Sequence, residues 1–133
     1  MKRDIAYDLA EYASSIQFED LPASTVEATR KDIFDSLSTG IAGSSAKGVA
    51  EWMELAEEWG GAPQARLFVY GKRFPAHVTA AINTVMIHGY DYDDTHEVAM
   101  MHCGAIVVSS ALAAAEMLGG VSGKELITAI TVG

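Results

Sequence analysis

His88-Gly89-Tyr90-Asp91-Tyr92-Asp93-Asp94-Thr95-His96, followed by His102-Cys103-Gly104, gathers three aspartates, a threonine and three histidines within fifteen residues. Apolar runs bound the stretch, residues 80–87 before it and 105–118 after it. Titratable groups set against buried segments cost free energy unless they are partnered or used, so chemistry is expected here. On a helix, Asp91, Asp94 and Thr95 share a face at i, i+3 and i+4, while Asp93 points elsewhere. Carboxylates held that close repel one another and raise the pKa of at least one. Such a carboxylate beside a histidine makes a general acid–base pair suited to removing a proton next to a carbonyl or carboxylate. Asp-Asp-Thr is equally the pattern of a cap at a solvated helix N-terminus, and spacing alone leaves both readings open.

Other chemistries fit the same residues less well. His88, Asp91, Asp94, His96 and His102 supply enough N and O donors for zinc, manganese or iron. The chain nevertheless has no His-Glu-x-x-His, and the His96-Glu97 pair lacks a second histidine at the required offset. Gly119-Gly120-Val121-Ser122-Gly123 lacks the lysine of a phosphate-binding loop and reads as a helix–helix turn. Cys103 beside His102 has the pattern of a thiolate nucleophile, although a lone cysteine more often packs as a small apolar residue. His77, just after Pro75, reads as a surface position in the first turn of a helix.

These groups must be carried by helices. Ile5, Leu9, Tyr12 and Ile16 follow helical spacing in a first amphipathic segment that ends before Gln17. Leu21-Pro22 opens a second, with Ser24-x-x-Glu27 as a capping box and Val26, Arg30, Ile33, Leu37 and Ile41 as its stripe up to Gly43. Val49, Trp52, Met53, Ala56 and Trp59 mark a third, stopped by Gly60-Gly61 and Pro63. Leu67-Phe68-Val69-Tyr70 favours one short extended segment near 65–70, and Gly71-Lys72-Arg73 a turn. Pro75 starts a helix running towards His88, whose small residues permit close helix approach. Residues 105–118 form another, ended by Gly119-Gly120, and the capping box Ser122-x-x-Glu125 launches the last. The expected fold class is all-α. The last apolar run is barely three turns long when Gly133 stops it, which reads as a cut within a larger helical domain.

Composition narrows the function. The chain has 133 residues, half of them hydrophobic, which suits a single domain with an ordinary core. A formal net charge of −9 with scattered basic residues argues against nucleic acid as a partner. One cysteine excludes an internal disulfide and an iron–sulfur cluster ligated by this chain alone, in keeping with a reducing cytoplasm. The opening Met1-Lys2-Arg3-Asp4 meets acidic residues before any apolar run, unlike a signal peptide. No apolar stretch is long enough for a membrane span.

The run from Val85 to His96, the following His102-x-Gly104 and the Ala-rich helix Ser110-Ala111-Leu112-Ala113-Ala114-Ala115-Glu116 closely resemble the MmgE/PrpD family. Asp32-Ile33-Phe34-Asp35-Ser36-Leu37 upstream is similar to that family's second helix, and Gly120-Val121-Ser122-Gly123 downstream to its capping-box turn. The resemblance implies the N-terminal portion of a cofactor-independent and metal-independent lyase or isomerase of small polycarboxylates, such as 2-methylcitrate dehydratase, cis-aconitate decarboxylase or iminodisuccinate epimerase. It implies a helical domain joined elsewhere to a smaller lid domain, in a homodimer. It points to Asp91, Thr95 and His102 as pocket residues, with Asp94 as a supporting carboxylate and His96 as a further substrate contact. Asp91 or His102 would move a proton at the substrate carbon, and Thr95 would hydrogen-bond a substrate carboxylate; which group is acid and which base stays open. Cys103 and Ser109-Ser110 depart from the family, standing where members commonly have proline-containing segments. Basic substrate-binding residues and the lid are expected outside this chain, which alone is expected to be inactive. Two other functions fit the composition: a non-catalytic helical oligomerisation module, and a metal-dependent hydrolase.

Overall fold

The structure, a computed structural model, describes residues 3–133, so the reading made on Met1 and Lys2 lies outside the described residues. Six helices make up most of it: α1 Ile5–Ser15, α2 Ala23–Ala42, α3 Val49–Trp59, α4 Ala76–His88, α5 Cys103–Met117 and α6 Gly123–Val132. No helix among the described residues is long and apolar enough to cross a membrane. The extended segment is one arm of a hairpin, β1 Ala65–Arg66 pairing antiparallel with β2 Arg73–Phe74, Ala65 opposite Phe74. Leu67 still donates its N–H across to Lys72, but the chain has begun to turn by Phe68, with Val69 at a left-handed φ of 61°.

α4 is the central element. Val78, Ile82 and Met86, spaced one turn apart, bury themselves with Val49, Met53 and Ala56 of α3 and with Leu67 and Phe74 of the hairpin. The polar positions Thr79 and Asn83 are also buried, and they hold the hairpin. The Thr79 hydroxyl faces the Ala65 and Phe74 carbonyls at 3.1 and 3.3 Å, Asn83 Nδ2 donates to Arg66 O, and Asn83 Oδ1 accepts from Phe68 N. Strands of two residues cannot hold themselves together, so these side-chain bonds replace the missing ladder.

Small residues set the helix spacing. A Cβ on Gly43 would fall 1.9 Å from Met86 O, so the end of α2 touches the backbone of α4. On the other side of α4, Thr84 Oγ1 bonds both Ala105 O and Ser109 Oγ of α5. α2 corrects its sequence pattern in two ways. The helix begins at Ala23, directly after Pro22, whose fixed φ opens it earlier than the expected box, so Ser24 lies inside the first turn and caps nothing. Its buried residues are Thr29, Ser36 and Gly40, while Ile41 of the expected stripe is exposed; the close approach of Gly40 to Phe68 and Ile87 rotates the packed face. The Ser122–Glu125 box forms in full, each partner bonding the other's backbone N–H. α1 buries no residue, and Ile5, Tyr7, Leu9 and Tyr12 are all more than half exposed.

Candidate active site

α4 ends at His88 and α5 begins at Cys103, so the connecting residues 89–102 lie between the ends of two adjacent helices. They are not helical, contrary to the geometry considered from spacing. Gly89 passes so close to Ala46 that a Cβ would sit 2.5 Å from it, and Asp91 adopts a left-handed φ of 57°. Aspartates bond local backbone more readily than they extend a helix, which suits three of them to a loop. The shared face of Asp91, Asp94 and Thr95 therefore does not exist.

Asp93, which a helix would have turned away, points inward. Its side chain is fully buried and its Oδ1 lies 3.1 Å from His88 Nδ1 and 3.4 Å from His102 Nδ1. The two imidazole rings stand 4.6 Å apart, tilted by 59°. His88 Nδ1 is hydrogen-bonded to Asp93, whereas His102 Nδ1, although shielded from solvent, has no hydrogen-bond partner and lies 3.4 Å from Asp93 without bonding geometry. The other nitrogen of His102, Nε2, faces Asp91 Oδ1 at 3.5 Å, and Asp91 is largely exposed. His102 is thus sandwiched between a buried and an exposed carboxylate.

The remaining expected site residues have different surroundings. Asp94 is half-buried and its Oδ1 accepts the backbone N–H of Gly104 at 2.9 Å, reaching from the loop to satisfy the first turn of α5. Thr95 is exposed on the loop. His96 is exposed too, and its Nδ1 accepts from Ala99 N while its backbone bridges to Met101, stapling the 96–101 turn. His88, Asp91, Asp93 and His102 can each bring one ligand atom within 4.8 Å of the others, whereas Asp94 and His96, considered as metal donors, are not in that set.

Sequence reasoning named Asp32 only within a family-like helix and not as a site residue. Its carboxyl is held above the usual range, by burial first and then by the neighbouring charges of Asp94 and Asp35. It meets Asp94 at Gly104, where an added Cβ would fall 2.5 Å from Asp32 Oδ1, 2.6 Å from Asp94 Oδ1 and 3.0 Å from Ser36 Oγ. Only the bare backbone of a glycine fits between these oxygens. No local motif announces the contact, because Asp32 belongs to a helix distant in sequence.

The segment 88–104 that carries the cluster contains no lysine or arginine. Arg3, Lys72, Arg73 and Lys124 are ion-paired to glutamates or aspartates elsewhere.

Residues 7–133 match the family model described as the MmgE/PrpD N-terminal domain. The chain is 24% identical over 136 aligned residues to a cis-aconitate decarboxylase of Aspergillus terreus, an alignment covering 99% of this chain and 28% of that protein. A cis-aconitate decarboxylase of Aspergillus terreus strain NIH 2624 matches with the same identity and coverage. The chain therefore spans about 28% of the length of the curated relatives it matches.

Proposed function

The chain belongs to the MmgE/PrpD family, and from that premise we propose that it supplies one wall of the active site of a cofactor-independent lyase or isomerase acting on small polycarboxylates. The observation that carries this reading is His102 held between buried Asp93 and exposed Asp91, at 3.4 and 3.5 Å. One edge of the imidazole lies against a carboxylate that solvent cannot reach. The other is open beside a second carboxylate, where a substrate carbon can be presented. Proton removal next to a carboxylate is then the task of the Asp91–His102 pair, and Asp93 stabilises the imidazolium if His102 takes the proton. Thr95, exposed at the loop's edge, offers its hydroxyl to a substrate carboxylate, with His96 and Asp94 shaping the rim.

A substrate with several carboxylates, and the negative charge that develops when its proton leaves, both require cations. The segment 88–104 offers no lysine or arginine, so in this proposal they come from other segments of a larger enzyme, in keeping with the share of the relatives' length that this chain spans. The 133-residue chain alone is expected to bind a polycarboxylate weakly and to turn none over. Titration of the isotopically labelled chain with cis-aconitate tests the site: resonance shifts at Asp91, Thr95 and His102 are expected. Shifts confined to other residues would refute the assignment, and turnover by the chain alone would refute the division of labour.

A second reading rests on α1. Its exposed Ile5, Tyr7, Leu9 and Tyr12 form an apolar face suited to a homodimer contact. Sedimentation of the wild type against Leu9→Glu tests it; a monomer in both cases removes α1 from the interface.

A further inference from the structure

We propose that His88, Asp93 and His102, completed by Asp91, form a binding site for a borderline divalent transition-metal ion, Zn2+ above all, and that the bound ion blocks the pocket rather than serving it. The first half stands on geometry alone; the second rests on the proposed proton chemistry of the same residues.

Zinc takes imidazole nitrogen and carboxylate oxygen at about 2.0–2.2 Å in a tetrahedron, which sets neighbouring donors roughly 3.3 Å apart. Two such edges are already present, 3.1 Å from His88 Nδ1 to Asp93 Oδ1 and 3.4 Å from His102 Nδ1 to the same oxygen. Both rings turn the same kind of nitrogen to one carboxylate, and they stand 4.6 Å apart, close enough to share an ion. His102 Nδ1 is the informative atom. It is shielded from water and faces a fully buried carboxylate without a hydrogen bond to it, so a cation between the two would satisfy both. Asp91 is the adjustable donor: it sits on an exposed loop, and all four residues already offer one ligand atom within 4.8 Å. His88 is anchored at the end of α4 and His102 at the start of α5, so the fixed donors lie on the ends of rigid helices.

Two imidazoles with two carboxylates select zinc, copper or nickel over magnesium and calcium, which prefer all-oxygen sites with more donors. An ion held on His102 Nδ1 leaves that ring's proton on Nε2, so the imidazole can no longer accept one, and it fixes Asp91 as a ligand. Neither residue could then exchange a proton with a substrate. The ion acts as an inhibitor in this account, and its affinity does not depend on whether the enzyme reading is correct.

The test is a calorimetric and NMR titration of the full 133-residue chain with zinc chloride, reversed with a chelator. One equivalent is expected to bind, moving the ring nitrogens of His88 and His102 and leaving His77 and His96 in place. Calcium and magnesium at the same concentration are expected to give no such shifts. His88→Gln and Asp93→Asn should each weaken binding at least tenfold, and His77→Gln should leave it unchanged. Because Asp93 is buried and its variant can fail to fold, the exposed His88 provides the deciding substitution. Absence of saturable binding, or binding that survives His88→Gln, would overturn the site. If zinc binds but the cis-aconitate shifts at His102 persist in its presence, the blocking role is overturned while the site stands.

Discussion

Gly104→Ala places a methyl group where three oxygens converge, and its cost can be worked from the contacts. The new carbon would meet Asp94 Oδ1 at 2.6 Å and Asp32 Oδ1 at 2.5 Å, whereas ordinary contact begins near 3.4 Å. Both are side-chain ends, so rotation relieves the clash without moving backbone. Asp94 cannot rotate freely, however, because the same Oδ1 accepts the Gly104 N–H at 2.9 Å. Losing that cap costs about 1 kcal/mol, and leaving a half-buried carboxylate short of a partner adds roughly 1 kcal/mol more. Replacing glycine by alanine in a helix returns up to about 1 kcal/mol, less in the first turn, so the net loss is about 1–2 kcal/mol. With a urea slope of roughly 1.5 kcal/mol per molar, the unfolding midpoint falls by about 1 M. The same variant should move the backbone resonances of Asp93, next to Asp94, and of His102, two residues before Gly104. An unchanged midpoint together with unmoved Asp93 and His102 resonances would refute the argument that Asp94 caps α5 and braces the site.

Gly43→Ala should cost more: its Cβ would fall 1.9 Å from the Met86 carbonyl oxygen, which only a backbone shift can relieve. A loss of roughly 3 kcal/mol or more is expected by chemical denaturation. Asp32→Asn is expected to stabilise the chain at neutral pH. Burial and Asp94 hold the Asp32 carboxyl above its ordinary value, so its stabilising contribution is complete below about pH 3.8 and is lost as pH rises through the raised value. Urea midpoints of variant minus wild type should therefore grow between about pH 4 and pH 7, and a difference independent of pH would contradict this. Asn83→Ala removes the bonds to Arg66 O and Phe68 N that hold the hairpin. Amide exchange should quicken at Phe68 and Leu67 while α5 stays protected, and overall stability should drop by about 1–3 kcal/mol.

Much of the scaffold is legible in the sequence because its signals are local. The Ser122–Glu125 box, the stop at Gly60-Gly61, the start at Pro75 and the end of α5 at Gly119-Gly120 each depend on a few adjacent residues, and each forms where its pattern stands. The buried face of α2 is set instead by how closely Gly40 meets Phe68 and Ile87, which no stripe within α2 encodes. Asp93 illustrates the same limit at the site. A helical template turns it away from Asp91, and only the left-handed Asp91 backbone brings it beneath His102. The family resemblance draws attention to Asp91 and His102 but carries no information about the carboxylate packed behind them.

The arrangement of His102 is tested most directly by the 15N signals of its ring in chelator-treated protein at a pH where the imidazole is neutral. The account predicts the Nδ1–H tautomer, favoured by the buried Asp93 carboxylate 3.4 Å away, with Nε2 left bare beside Asp91, and a shift towards mixed tautomers in Asp93→Asn. An Nε2–H tautomer in the wild type, or a tautomer indifferent to Asp93→Asn, would contradict the claim that the buried Asp93 carboxylate prepares His102 for proton transfer.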